Sequence, residues 1–213
     1  MPAAILGLVV LLAVGHIVAR TQGLAHIAGV LKPLPIALLA ALALGASGGE
    51  DAAYRHLVGA ALIASMAGDV FLLSRSRFVA GLLCFLVAHL LYILAFAPAA
   101  GVDEWAAGLL LPFVGFALLV LRRLWPHLGR HRAPVCVYVV VITTMGWLAT
   151  LRALGGDVVP ESGLLAMAGA FAFMASDATL AIDRFAQPFR GAQIVVMGTY
   201  YTAQVLLTLS AVG

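Results

Sequence analysis

Eight long apolar runs alternate with short polar breaks along the 213 residues of this chain, at about 3–19, 23–45, 55–73, 78–97, 105–121, 134–151, 162–182 and 191–211. Glycine, proline and charged residues make the breaks. Each run approaches the ~20 apolar residues a helix needs to cross a hydrocarbon layer of roughly 30 Å. Inside lipid every backbone amide must be satisfied within its own segment, so runs of this length are predicted to be helices. The expected fold is all-α, a polytopic membrane helix bundle of about eight transmembrane helices forming one integral membrane domain over 1–213.

Composition agrees with the pattern and removes the soluble alternatives. Hydrophobic residues make up 64% of the chain and charged residues 10%, with a mean hydropathy of +1.11, which no aqueous fold could bury. The net charge of +3 would suggest a nucleic-acid partner only if the basic residues shared a soluble face, and they lie between apolar runs instead. Counting from the N-terminus, the odd breaks hold Arg20, Arg75, Arg77, Arg122, Arg123, Arg130, Arg132, Arg184 and Arg190, nine of the twelve Lys and Arg residues. The even breaks hold Arg55 and Arg152, together with Glu50, Asp51, Asp103, Glu104, Asp157 and Glu161. By the positive-inside rule the odd breaks face the cytoplasm, so both termini are expected outside in a multi-pass protein of the cell membrane. The first run lacks a preceding basic residue and a following cleavage site, and reads as a span, not a signal peptide. Cys84 and Cys136 fall inside apolar runs and read as packing residues.

A short internal similarity joins the third and seventh runs: Met66-Ala67-Gly68-Asp69 resembles Met174-Ala175-Ser176-Asp177, and a basic break and a glycine, Gly81 or Gly191, follow each. Four spans separate the two, the arrangement of a parallel four-plus-four repeat about an axis along the membrane normal. Such a repeat would set Asp69 and Asp177 at matching depth. Small residues at 59–68 and 168–176 would let the third and seventh helices approach closely and bring the two carboxyls together.

The polar side chains that composition does not explain are Lys32, Asp69, His89, Tyr92, Tyr138, Ser176, Asp177, Tyr200, Tyr201 and Gln204. Most of them fall in the half of the bundle nearer the basic breaks. An aspartate at mid-helix costs about 3 kcal/mol on insertion scales, so it is retained where it faces a cavity or a partner. Snorkelling, or pairing with Arg75, Arg77 or Arg184, is the plainer alternative. His89 and Tyr92 share a helix face with Phe85 and Gly81, a pattern that suits either a site or an interhelical hydrogen bond, and Gln204 with Tyr200 and Tyr201 reads the same way. Lys32 precedes Pro33 and Pro35, where freed carbonyls could meet a cation, or it is an interfacial lysine. Only His89 lies deep among the six histidines, and no HxxxH or HExxH spacing is present, so a metal site is not expected. There is no GxSxG elbow, Walker loop or dinucleotide fingerprint in a suitable context.

In order and spacing these elements resemble the YhhN-like lysoplasmalogenase family of eight-span membrane proteins. The resemblance is carried by Lys32-Pro33, Gly68-Asp69 with Phe71-Leu72, the series Gly81, Phe85, His89 and Tyr92, then Tyr138, Ser176-Asp177 with Leu180-Ala181, and Tyr200 to Gln204. It implies hydrolysis of the vinyl-ether bond of a lysophospholipid, with Asp69 and Asp177 as the catalytic pair, no cofactor, and membrane lipid as the surroundings. The chemistry suits the residues: protonating the outer alkene carbon leaves an oxocarbenium ion that water captures, so one acid and one anion are needed. Two neighbouring carboxyls in a poor dielectric do not both ionise easily, which divides those roles between them. His89, Tyr92, Tyr138, Ser176, Tyr200, Tyr201 and Gln204 would then bond the pair or the glycerol, and Lys32 would attract the lipid phosphate. A small proton-coupled transporter is the leading alternative, since midplane acids in a repeat also describe a carrier, and a bundle without turnover is the third. Oligomeric state has no signature in the sequence.

Overall fold

The computed structural model describes residues 2–48, 50–101, 106–155 and 158–213, apart from the side chains of Pro2 and Arg75. Asp103, Glu104 and Asp157, assigned above to even breaks, and the Arg75 side chain as an aspartate partner lie outside the described residues. Among the described residues the chain forms nine α-helices and no strand: α1 (Pro2–Thr21), α2 (Ala25–Leu31), α3 (Leu34–Gly45), α4 (Ala52–Phe71), α5 (Phe78–Phe96), α6 (Ala106–Leu124), α7 (Arg132–Leu154), α8 (Pro160–Ala181) and α9 (Ala192–Val212). Helices α2 and α3 are two pieces of one span, Ala25–Gly45, interrupted at Lys32 and Pro33. Proline has no amide to give and disfavours helix in the residue before it, which explains the break.

Among the described residues, seven segments are long and apolar enough to cross a membrane. The eighth span is α4, as long as α1 at 20 residues but diluted by Arg55, His56 and Asp69. It survives because it is enclosed: α3, α5 and α9 pack around it. Its N-terminus is closed by Asp51, whose side chain accepts the Ala53 amide. Gly191, with φ at 84°, supplies the left-handed turn that starts α9.

Helices α4, α5, α7, α8 and α9 form a ring in which each packs on the next and α9 returns to α4. Helix α3 lies outside α4 and α9, with α1 beyond it, while α6 packs mainly on α7. Phe85, Phe173 and Tyr200 meet edge-on at the centre, with ring centroids 5.6–6.2 Å apart. One expectation is corrected here. The small residues of α4 and α8 do not join those helices to one another. A side chain at Gly59 would strike Leu44 of α3, one at Gly68 would strike Phe85 of α5, and one at Gly169 would strike Leu207 of α9. Close approach therefore serves the contacts α3–α4, α4–α5 and α8–α9, and the two aspartates reach one cavity from separate members of the ring instead of meeting across a helix contact.

At the end of the bundle away from the basic breaks, a second correction concerns Arg152. It is not a break residue but the last turn of α7, 2% exposed, because α7 runs three residues beyond the apolar run. Its Nη2 lies 2.9 Å from Glu50 Oε1 and donates to Ser162 Oγ at 3.1 Å, and its guanidinium sits 4.0 Å over the Tyr54 ring. Ser162 donates on to the Ser210 carbonyl, and Ser210 donates to the Leu207 carbonyl while accepting from Tyr54 OH. Arg55, likewise assigned to a break, is the fourth residue of α4, and its guanidinium donates to the Glu50 carbonyl.

Candidate active site

Asp69 sits two residues before the end of α4, with its side chain 2% exposed. Lys32 reaches it from the break in the second span: Nζ stands 3.1 Å from Oδ1 and 3.5 Å from the Asp69 carbonyl. Tyr200 of α9 donates its hydroxyl to Oδ2 at 2.7 Å. Both carboxylate oxygens thus have a donor, one of them a cation. This geometry suits an ionised group, because the ammonium and the hydroxyl both offer hydrogens and a carboxylate offers only acceptors to meet them.

Asp177, on α8, has different company. Tyr138 of α7 donates to its Oδ2 at 2.5 Å. His89 Nε2 faces the same oxygen at 3.6 Å, beyond hydrogen-bond length. The other ring nitrogen of His89, Nδ1, lies 2.6 Å from the Phe85 carbonyl, which can only accept, so Nδ1 carries the hydrogen. In the neutral ring the Nε2 lone pair then points at Asp177. That approach becomes favourable when either group carries a proton. Phe173 and Tyr138 hold the His89 ring edge-on, at centroid distances of 4.6 and 5.4 Å.

The two aspartates line one cavity of about 190 Å³, together with Lys32, Phe85, Arg184, Gln193 and Tyr200. It opens at the basic end, where Ser74 and Asp183 border it, and the aromatic triad lies beneath it. Two further spaces adjoin. A pocket holding His16, Arg20 and His26 shares Lys32, Leu72 and Gln193 with the cavity. An apolar groove bounded by α5, α6, α7 and α8 shares Phe78, Asp177 and Leu180 with it. The last turn of α8 widens into a π-turn over Ile182–Ala186, which carries Asp183 and Arg184 to the rim.

The other expected site residues divide. Tyr138 and Tyr200 bond the aspartates directly, as does Lys32, which is paired with Asp69 instead of standing free for a phosphate. Ser176 borders the cavity, but its hydroxyl donates to the Val196 carbonyl and ties α8 to α9. Tyr92 donates to Gln204 Oε1 at 2.8 Å, deeper than the cavity, and so links α5 to α9. Tyr201 donates to the Lys32 carbonyl at 3.1 Å, and Ile36, the usual helical donor to that carbonyl, lies past the break. Tyr201 thereby braces the lysine from behind.

Sequence reasoning did not single out Phe173, His16 or Gln193. A phenylalanine in an apolar run has no distinguishing signal. His16 and Gln193 are polar residues near the basic ends of their runs, a signal that depth counting could have used. Among the described residues no three histidine, cysteine or carboxylate side chains converge as a metal would need.

Comparison with known proteins adds the following. The model of the YhhN family matches residues 27–211. The Homo sapiens protein named lysoplasmalogenase TMEM86B is 37% identical over 194 residues, 88% of this chain and 76% of that one. The Homo sapiens lysoplasmalogenase TMEM86A is 38% identical over 191 residues, 85% of this chain and 77% of that one. An Escherichia coli O157:H7 protein, named only as the uncharacterized membrane protein YhhN, is 30% identical over 85% of each chain. No solved structure matches.

Proposed function

Because this chain belongs to the YhhN family, we propose that it is a membrane lysoplasmalogenase, hydrolysing the vinyl-ether bond of a lysophospholipid to a fatty aldehyde and a glycerophospho-base. The observation that carries the reading is the pair of aspartates lining one cavity with unlike partners: Asp69 held by Lys32 and Tyr200, Asp177 held by Tyr138 and faced by the Nε2 lone pair of His89.

Asp177 is the general acid in this scheme. Its proton passes to the outer alkene carbon, the C=C electrons form the new C–H bond, and an oxocarbenium ion is left on the inner carbon and ether oxygen. The ionised Asp69 stabilises that cation. Water adds to the inner carbon and returns a proton to Asp177, and the hemiacetal collapses to aldehyde and alcohol with a proton moved from one oxygen to the other. The sum is vinyl ether plus water to aldehyde plus alcohol. His89 and Tyr138 orient the acid, Tyr200 orients the anion, and Tyr92, Gln204, Ser176 and Tyr201 brace the helices that carry them. The head-group phosphate suits the pocket of His16, Arg20 and His26, since Lys32 is already engaged by Asp69.

The positive-inside rule supports a cavity mouth at the cytoplasmic face of the cell membrane and both termini outside. A reporter fused to the C-terminus should be active only in its extracytoplasmic form. A carrier is less well supported, because Phe85, Phe173 and Tyr200 pack beneath the cavity where a second opening would be needed. The deciding experiment uses purified protein in micelles with a lysoplasmalogen, comparing Asp69→Asn and Asp177→Asn with the unaltered chain. Aldehyde should appear without any sealed compartment, and each variant should lose it. Normal turnover in both variants would remove the acid and anion scheme.

A further inference from the structure

The apolar groove is the feature that the reaction scheme leaves unused. Thirteen of the residues bordering it come from the apolar parts of α5, α6, α7 and α8 and the π-turn, or are Tyr138, and the remaining one is Asp177. Phe116 and Val120 form its wall on α6, the least buried of the long apolar segments among the described residues, so the groove is covered on that side by a single helix whose back exposes Leu111, Leu118 and Leu119. At its other end it meets the polar cavity at Phe78, Asp177 and Leu180.

A lysolipid has the same division. Its chain is apolar, its glycerol and head group are polar, and in a vinyl-ether lipid the reactive bond is the join. We propose, on the basis of the functional reading above, that the groove between α6 and α8 seats the alkenyl chain and is reached sideways from the bilayer, which places the bond to be cleaved beside Asp177. The geometry selects between the carboxyls without reference to their charge: Asp69 borders the polar cavity only, whereas Asp177 borders both spaces. It also selects between grooves. A second apolar cleft, between α1 and α9 along Val10, Val14 and Val205, shares no residue with the polar cavity and leads to neither aspartate.

The test narrows the groove and reads chain selectivity. Val120→Trp on α6 and Ala181→Phe on α8 are each compared with the unaltered chain on two lysoplasmalogens of one head group, with alkenyl chains of about four and about eighteen carbons. The quantity read is the ratio of kcat/KM for the long substrate to that for the short one. Each methylene kept out of an apolar site forfeits roughly a factor of four in transfer equilibrium, so exclusion of two or more should lower the ratio at least tenfold. Val10→Trp in the α1–α9 cleft should leave the ratio as it was. An unchanged ratio in both groove variants, or a fall with Val10→Trp alone, would overturn the assignment.

A readout independent of turnover comes from a lysolipid carrying a diazirine in its chain. Photolabel on peptides of α6 and α7 supports the groove, and label confined to α1 and α9 overturns it. If the unaltered protein releases no aldehyde from any vinyl ether, the functional reading fails, and the photolabel still decides where the chain lies.

Discussion

Lys32–Asp69 and Arg152–Glu50 are both buried ion pairs of one membrane bundle, one at each end, and their surroundings differ. Around Arg152 the space is filled by protein: Tyr54 lies under the guanidinium, and Ser162 and Ser210 pass hydrogen bonds on to backbone carbonyls. Around Lys32 and Asp69 a cavity is kept open, and a second aspartate lines it that is paired with no lysine or arginine among the described residues. Charge in lipid costs several kcal/mol unless it is compensated. One pair answers that cost with packing and ties α7, α8 and the α3–α4 connection together. The other leaves room for something that is not protein. The same residue chemistry therefore reads as scaffold at one end and as reaction site at the other, and the difference lies in what fills the space beside the charges.

Four substitutions would break or sharpen that contrast. The largest effect is expected from Asp177→Asn, which should lower aldehyde release by about a thousandfold, the usual scale for loss of a general acid, with the thermal unfolding midpoint in detergent held or raised. Arg152→Met should do the reverse: it strands Glu50, costs about 3 kcal/mol or more in unfolding measurements, and leaves turnover per folded molecule within about twofold. Tyr200→Phe removes one donor to a charged carboxylate, so kcat should fall about tenfold with little change in unfolding. The smallest effect is expected from Tyr54→Phe, about 0.6 kcal/mol in stability, the average for a hydrogen bond between membrane helices, with turnover unaltered. If Arg152→Met abolished chemistry while Asp177→Asn only unfolded the protein, the two ends would have to exchange roles.

What the sequence conveys depends on how local the physics is. The runs are legible because span length is set by the bilayer, and Asp69, Asp177, His89 and Lys32 stand out because charge and polarity are costly at those positions. The pairing of Lys32 with Asp69 joins residues 37 apart, and nothing in either run announces it. The small residues do not reveal their neighbours for the same reason: a glycine records that something comes close, not which helix it is. Arg152 reads as a break residue because apolarity ends at 151, whereas the helix continues under tertiary contact to Leu154. Phe173 and the groove have no signature, since an apolar residue beside a substrate chain has the same composition as one beside lipid.

If the groove is entered from the bilayer as proposed, the two spaces beside Asp177 lead to different solvents, the groove to hydrocarbon and the cavity to the aqueous margin at the basic end. Cleavage at their junction would send each fragment down the path it already occupies. The oily aldehyde would drain into the leaflet while the phosphodiester diffuses off in water. Sorting the fragments between phases lowers the frequency with which they meet again, and neither fragment need pass the other to clear the way for the next lipid.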